Sequence, residues 1–185
     1  MKTWIVPLML MLMLLASVPL HAGDAPFHGV TLTDHLGQAH DLEKETVGRL
    51  VILFAIESRV DGKAWDERLT AHLPADRQLV RVMDAGAITE EDRPRLLERV
   101  KKALDGTSVV FVMDWQGVAR KQFGGTVEQV MIVAINAQGA VSGRSGGLPT
   151  AANLTAALAF IGIVPLPPLT DDKPAKPKTD PKRTP

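Results

Sequence analysis

The 185-residue chain contains no cysteine and no tyrosine. The missing cysteine excludes disulfides, thiolate zinc sites, iron–sulfur clusters, thiol catalysis and a lipid-modified cysteine anchor. Aromatic residues make up only 4% of the chain, and 21 basic side chains balance 21 acidic ones. Few rings can therefore stack on bases, and no excess of positive charge marks a nucleic-acid-binding protein. The 45% apolar composition is enough for one hydrophobic core.

Residues 1–22 have the three parts of a secretory signal peptide. Lys2 supplies the positive charge, residues 4–15 are almost wholly apolar, and Ala22 is a small residue before a plausible cleavage site. The alternative is an uncleaved membrane anchor, but residues 4–20 contain two prolines and reach only the short limit for spanning a bilayer. We favour cleavage after Ala22, no integral membrane segment after it, and a periplasmic location if the source is Gram-negative.

Residues 165–185 form a tail of different composition, in which seven of the residues are proline. Such a segment lacks backbone donors and is expected to be extended, disordered and solvated. The tail carries five basic and three acidic side chains. It is expected to act as a solubilising spacer; the alternative is that it contacts the cell envelope or a partner. The folded domain is therefore placed at residues 23–164. Residues 24–164 carry 15 basic and 18 acidic side chains, a net charge of −3 that argues against nucleic acid.

The apolar pattern of the domain predicts alternating strands and helices. Alternation before and after a turn at residues 34–37 predicts an initial β-hairpin. Apolar runs or alternation predict further strands at residues 50–56, 78–83, 108–113 and 130–135, with an edge strand near Val141. Helical spacing and end signals predict helices at residues 63–73, 89–106 and 150–162, and a short helical or irregular piece that runs to Phe123. This order indicates an α/β fold with a sheet covered on both faces, parallel strands in its middle and a hairpin at its end.

Three stretches in this order resemble a known group of proteins. TDHLGQAHDL leads into the buried strand RLVILFAI and a tryptophan-bearing helix, and VMIVAINAQGAV leads to a Gly-Pro loop and a closing helix. Together they resemble thioredoxin-like proteins of the peroxiredoxin and TlpA type. More narrowly, LPADR at residues 73–77 and Asp114-x-x-Gly117-Val118-Ala119-Arg120 resemble the cysteine-free periplasmic proteins of the YtfJ type. The resemblance covers residues 27–161 and implies a three-layer α/β/α thioredoxin-like fold with an added amino-terminal hairpin.

The chain departs from the redox-active members at two places that the resemblance identifies. Those members carry a C-x-x-C pair after the first buried strand, where a helix N-terminus stabilises a thiolate. Here the segment reads ESRVDGK, and a serine hydroxyl is too weakly acidic to replace a thiolate. The family's cis-proline would fall near Val130 and is absent as well. We therefore expect neither thiol–disulfide oxidoreductase nor peroxidase activity.

The degenerate loop is the first candidate binding site. Ser58, Arg59 and Lys63 lie near a predicted helix N-terminus, where free backbone donors bind anions. Glu57 and Asp61 would repel an anion there. The interpretation we favour is that Asp61 or Ser58 caps the helix.

A second candidate comprises Asp84 and Asp114, each at the carboxyl end of an apolar strand, with Arg120 as counter-ion. Ligands bind at that edge of open α/β sheets. Two carboxylates are few for a divalent cation, and aspartate commonly begins a turn, so the turn interpretation is favoured.

Histidine and serine give no stronger site. The histidines of the domain (His28, His35, His40 and His72) lack metal-binding spacing, although His35 and His40 are expected near each other in the hairpin. Ser58 and Ser145 lack the frame of a nucleophilic serine, and the glycine-rich stretch at residues 143–147 lacks the lysine of a P-loop. We expect no catalytic residue, no metal and no cofactor.

These observations predict an exported, non-catalytic binding or assembly module with a protein partner in the cell envelope. The sheet edge, the degenerate loop and the tail are the available surfaces. The alternative is an enzyme or ligand carrier that uses Asp84, Asp114 and Arg120, with or without a metal.

Overall fold

The structure is a computed structural model that describes residues 26–74, 79–107 and 109–164. The predicted signal peptide and the proline-rich tail lie outside these ranges, as do three residues of the LPADR motif. Within the ranges, no helix combines the length and the apolar character needed to cross a bilayer.

The apolar runs form a single mixed sheet of seven strands in the described part of the chain, in the order β2-β1-β5-β4-β3-β6-β7. β3, β4 and β5 are parallel, whereas β1 pairs antiparallel with β2 and β5, and β6 pairs antiparallel with β3 and β7. The strands are β1 (Thr31–Asp34), β2 (Ala39–Asp41), β3 (Leu50–Ala55), β4 (Val80–Asp84), β5 (Val110–Asp114), β6 (Met131–Ile135) and β7 (Val141–Gly146).

Five helices connect or cover the strands within the same ranges. They are α1 (Leu42–Glu45), α2 (Arg59–Thr70), α3 (Arg93–Leu104), α4 (Val118–Phe123) and α5 (Ala151–Ala159). Thr150 caps α5 as expected, because its hydroxyl accepts a hydrogen bond from the Asn153 amide at 3.3 Å.

The boundaries of α2 differ from the prediction at both ends. The helix begins four residues earlier than residue 63 and ends three residues before residue 73. Its first turn contains no large apolar residue that faces the core: Val60 is exposed, and the buried residue is Gly62, where a Cβ would lie 2.9 Å from the Phe54 ring. Hydrophobic spacing therefore detects only the later turns, which bury Trp65 and Leu69.

Side chains on the two faces of the sheet enter different cores, because successive strand residues point to opposite sides. On one face, α2 and α5 cover Ile52 and Ile132, and α3 covers Met83 and Met113. On the other, α1, α4 and the segment before β1 cover a second core that includes Phe27, Leu42, Val51, Val82, Ala119, Phe123 and Val133. The sheet is thus the middle of three layers, as predicted.

The topology gathers several loops at one end of the sheet. β3, β4 and β5 all end there, with Ala55, Asp84 and Asp114 in register. Since β6 is antiparallel to them it begins at that end, and β7 finishes there, with Gly146 opposite Met131. The loops that follow β3, β4, β5 and β7, and the loop that precedes β6, therefore lie at this sheet end.

Candidate functional site

The degenerate loop connects β3 to α2 at the sheet end. Ser58 occupies the N-cap position of α2, but its side chain makes no capping hydrogen bond. The side chain is only 2% exposed, and its hydroxyl oxygen accepts a hydrogen bond from the Ala55 amide at 3.0 Å. Asp61 lies in the first turn of the helix and makes no capping hydrogen bond either. The expectation that one of these side chains caps α2 is therefore wrong, because the hydroxyl of Ser58 closes the strand-to-helix turn instead.

The outer side of the same loop combines charge with an exposed apolar residue. Glu57, Arg59 and Lys63 are exposed, and the Lys63 ammonium lies 3.7 Å from the Glu67 carboxylate. Between them, Val60 exposes 73% of its surface. The five predicted loop residues are thus divided: Ser58 is buried, Asp61 is half-buried, and the others face solvent.

Helix α2 fixes the neighbouring loop after β7 through two backbone carbonyls. The Trp65 indole donates a 2.7 Å hydrogen bond to the Gly147 carbonyl, and the Arg68 guanidinium donates to the Pro149 carbonyl. The Gly147 amide in turn donates to the Val130 carbonyl at 3.0 Å. Leu148, between the two carbonyls held by α2, is 62% exposed. Residues 147–149 are thus held against α2, the helix that begins in the degenerate loop, and both segments lie at the sheet end. We call the exposed residues of the degenerate loop and of residues 147–149 the loop surface.

An open concavity of about 300 Å³ adjoins the loop surface beside β7. Its lining comprises Gly125, Gln129, Val130, Met131, Arg144, Ser145, Gly146 and Gly147. Among the residues that the structure describes, β7 pairs only with β6, so its other edge is available to an extended chain.

The second predicted cluster contains a buried ion pair. The Nε atom of Arg120 lies 2.8 Å from Oδ2 of Asp84, and the two side chains are 8% and 13% exposed. Asp84 also accepts from the Gly86 amide at 3.0 Å. Through Nη1, Arg120 donates to the carbonyls of Thr126 and Gln129. Its Nη2 atom is buried and has no hydrogen-bond partner in the described ranges. The pair ties the end of β4 to the loop before β6.

Asp114 has a different role from Asp84, although the two residues are opposite each other on parallel strands. It is fully buried, and its carboxylate accepts hydrogen bonds from the Ala119 amide at 2.8 Å and the Gln116 amide at 3.3 Å. These bonds hold the turn that starts α4. The structure therefore brings Asp84 and Arg120 together as an ion pair and uses Asp114 as a turn residue.

Glycines leave an open concavity of about 390 Å³ next to the ion pair, lined by Asp84, Gly86, Gln116, Gly117, Arg120, Lys121, Gly124 and Gly125. Gly117 has a φ of 64°, and a Cβ there would lie 3.5 Å from Oδ1 of Asp84. That distance is an ordinary van der Waals contact, so the left-handed backbone alone favours glycine at the turn.

His40 lies between two carboxylates, an arrangement that the sequence pattern did not indicate. Its Nδ1 is 2.9 Å from Glu45 and its Nε2 is 3.3 Å from Asp34. Burial lowers the pKa of His40, but the hydrogen bonds to Glu45 and Asp34 outweigh it, so the pKa is raised above the ordinary 6.5. Burial raises the pKa of Asp34, but hydrogen bonds from the Gln38 amide and from His40 lower it below 3.8 overall. In the described ranges, no group of three or more acidic or histidine side chains is placed to hold a metal ion.

Two more features of the structure have no signal in the sequence pattern. Arg81 is a buried cation inside β4, where alternation predicts only a strand, and it lies 2.5 Å from the Asp66 carboxylate on α2. The exposure of Val60 and Leu148 is equally hidden, because Val60 lies before the predicted helix start at residue 63 and Leu148 lies in a loop.

Comparison with known proteins identifies the fold. No protein-family model and no curated protein matches the chain. Among solved structures, a thioredoxin-like protein from Aeropyrum pernix is 18% identical, with a TM-score of 0.50 over 70% of this chain and 88% of that one. The pneumococcal exposed lipoprotein thioredoxin Etrx1 from Streptococcus pneumoniae is 15% identical, with a TM-score of 0.51 over 70% of this chain and 97% of that one.

A putative electron transfer protein from Aquifex aeolicus is 14% identical, with a TM-score of 0.52 over 71% of this chain and 92% of that one. The thioredoxin-like α/β fold predicted from the sequence is thereby confirmed, in a chain without cysteine. At these identities the similarity shows the fold alone, and the narrower YtfJ-type resemblance stays a prediction.

Proposed function

We propose that this chain is an exported, periplasmic, redox-inactive thioredoxin-fold protein of the YtfJ type, which binds a protein partner in the cell envelope without catalysis. The observation that carries the proposal is the degenerate loop. Where redox-active members of this fold hold reactive sulfur, Ser58 is buried and hydrogen-bonded to Ala55, while Val60 faces solvent. The loop thus offers a contact surface and no available nucleophile.

The distribution of exposed apolar side chains supports the loop surface as the contact. In the described part of the chain five large apolar side chains are exposed, and two of them, Val60 and Leu148, belong to this surface. Charged residues surround Val60, which is the arrangement of an apolar centre with a polar rim. The unpaired edge of β7 lies next to it and can accept an extended segment by strand addition.

The test is site-specific photo-crosslinking in the producing cell. A photoreactive amino acid replaces Val60, Leu148 or Leu36; Leu36 is the control, because it is exposed in the hairpin turn at the opposite end of the sheet. We expect Val60 and Leu148 to give the same discrete protein adduct and Leu36 to give none. The substitution Val60→Asp should abolish the adduct from Leu148 and leave the fold intact, since a surface change shifts stability by only about 0.5 kcal/mol.

Two results contradict the proposal. One is an absence of adducts at both loop positions, and the other is an equal yield at Leu36, which would indicate unspecific contact. Retention of the Leu148 adduct in the Val60→Asp variant would assign the partner to the β7 edge without the degenerate loop.

A second candidate function is a ligand carrier or enzyme at Asp84 and Arg120. The unpartnered Nη2 atom of Arg120 and the adjacent 390 Å³ concavity favour it. Against it, the other polar atoms of the pair are engaged with the protein itself. Thermal shift with small carboxylates and inorganic phosphate, together with metal analysis of the purified chain, distinguishes the two functions. A stabilisation that the Arg120→Lys variant loses would support the carrier.

A further inference from the structure

Helix α3 concentrates positive charge in an acidic domain. Its twelve residues carry five basic side chains and one acidic side chain, Glu98. The remainder of residues 24–164 carries ten basic and 17 acidic side chains. One helix thus holds a third of the basic residues of a domain that is otherwise strongly negative.

Three of these residues form a stripe on the solvent side of α3. The inner face consists of buried Leu96 with half-buried Leu97 and Val100, which pack in the core beneath β4 and β5. Spacings of four and three residues place Arg95, Arg99 and Lys102 on one opposite line, and all three are exposed. We call these residues the basic stripe; it is about 10 Å long.

The stability of the helix explains only Lys102 of the basic stripe, which lies in the last turn, where a cation is favourable, and four residues after Glu98. Like charges four residues apart repel each other, as Arg95 and Arg99 do. In the described ranges no carboxylate forms a salt bridge with any of the three, and the one hydrogen bond of their side chains runs from Arg99 Nε to the Arg95 carbonyl at 3.3 Å. Arg93 on the same helix differs, because it lies 3.7 Å from Glu90 and its guanidinium stacks over the Trp115 ring.

We propose that the basic stripe docks the protein on a bilayer that contains anionic phospholipid. A protein partner would require an apolar anchor or a pocket, but the exposed large apolar side chains and the concavities at the sheet end belong to other parts of the described chain. A layer of anionic headgroups requires only positive charge near its surface. The apolar face of α3 is occupied by the core, so the helix lies on the headgroups without inserting.

The sequence adds a second positively charged element that the same surface would attract. Residues 165–185 carry five basic and three acidic side chains. Two weakly attracted elements in one chain bind a surface more tightly than either one alone.

The experiment measures co-sedimentation of the full chain with vesicles of phosphatidylglycerol and phosphatidylcholine, compared with pure phosphatidylcholine. Residues 1–22, which include Lys2, are the same in every variant, so the readout is how each set of substitutions changes the increment in binding due to the anionic lipid. We expect the anionic lipid to increase the fraction of bound protein, and we expect this increment to fall steeply as the salt concentration rises. Each basic residue near the membrane surface raises partitioning onto the anionic bilayer about fivefold. The triple substitution Arg95→Gln, Arg99→Gln, Lys102→Gln should therefore lower the anionic-lipid increment about 100-fold.

A matched variant separates the stripe from net charge. Lys44→Gln, Lys63→Gln, Lys121→Gln removes the same charge from exposed positions outside α3 and should retain most of the increment. The stripe variant should remain folded, because the three positions are exposed and a surface change shifts stability by only about 0.5 kcal/mol. The proposal is overturned if the wild-type chain shows no increment with anionic lipid, or if the two triple variants lose the increment equally. It is also overturned if the chain binds polyglutamate and does not bind the vesicles.

Discussion

Two buried charges at the sheet end, Asp84 and Arg120, hold each other and the loop that follows α4. Removing one of them leaves the other charge desolvated and unpaired, which costs far more than the pair itself contributes. We expect Asp84→Asn to lower the free energy of unfolding by about 3–5 kcal/mol. Urea denaturation followed by circular dichroism measures the change. The control is Lys63→Gln, which breaks an exposed pair with Glu67 and should cost less than about 1 kcal/mol. Equal effects of the two substitutions would show that the buried pair is not structural.

Ser58 and Asp61 give a second contrast at the residue scale. Ser58→Ala leaves the buried Ala55 amide without its acceptor, so we expect a loss of about 1–3 kcal/mol. Asp61→Ala removes only the interaction of a carboxylate with the first turn of α2, worth about 0.3–1 kcal/mol. Thermal or urea unfolding of the two variants should therefore rank Ser58→Ala as the more destabilised. The reverse order would restore the capping role for Asp61.

The hairpin and α1 are joined by His40, whose contacts make this element sensitive to pH. Because the folded-state pKa of His40 is raised, its contribution to stability is complete below pH 6.5 and is lost as pH rises through the folded-state pKa. The Asp34 carboxylate contributes above pH 3.8, and that contribution is lost as pH falls through its lowered pKa. We expect His40→Gln to reduce the free energy of unfolding more at pH 5.5 than at pH 9. The difference should be about 0.5 kcal/mol, because solvent screens a pair near the surface.

His72→Gln is the matched control for this pH dependence, since His72 forms no ion pair in the described ranges. Urea titrations at both pH values compare each variant with the wild type. A loss for His40→Gln that is equal at the two values would mean that the contacts with Asp34 and Glu45 do not favour the charged ring.

At the scale of the whole molecule, the topology provides two separate surfaces. The loop surface forms because β3 and β7 finish at the same end of the sheet, whereas the basic stripe lies on a helix that covers one face. The two proposals are therefore independent. Changing Arg95, Arg99 and Lys102 should leave the Val60 adduct unaltered, and Val60→Asp should leave the anionic-lipid increment unaltered.

The sequence by itself determined the α/β class, the order of the strands and of the three longer helices, and the absence of cysteine. These properties depend on composition and on local periodicity. The strand predicted at residues 50–56, for example, is observed at Leu50–Ala55, and Thr150 caps α5 as expected. Only the tertiary structure decided which charges meet: Asp84 with Arg120, and His40 with both Asp34 and Glu45. It also decided that Ser58 faces inward and Val60 outward. Side-chain partners across strands depend on register and packing, which join residues distant in the chain and leave no period in the sequence.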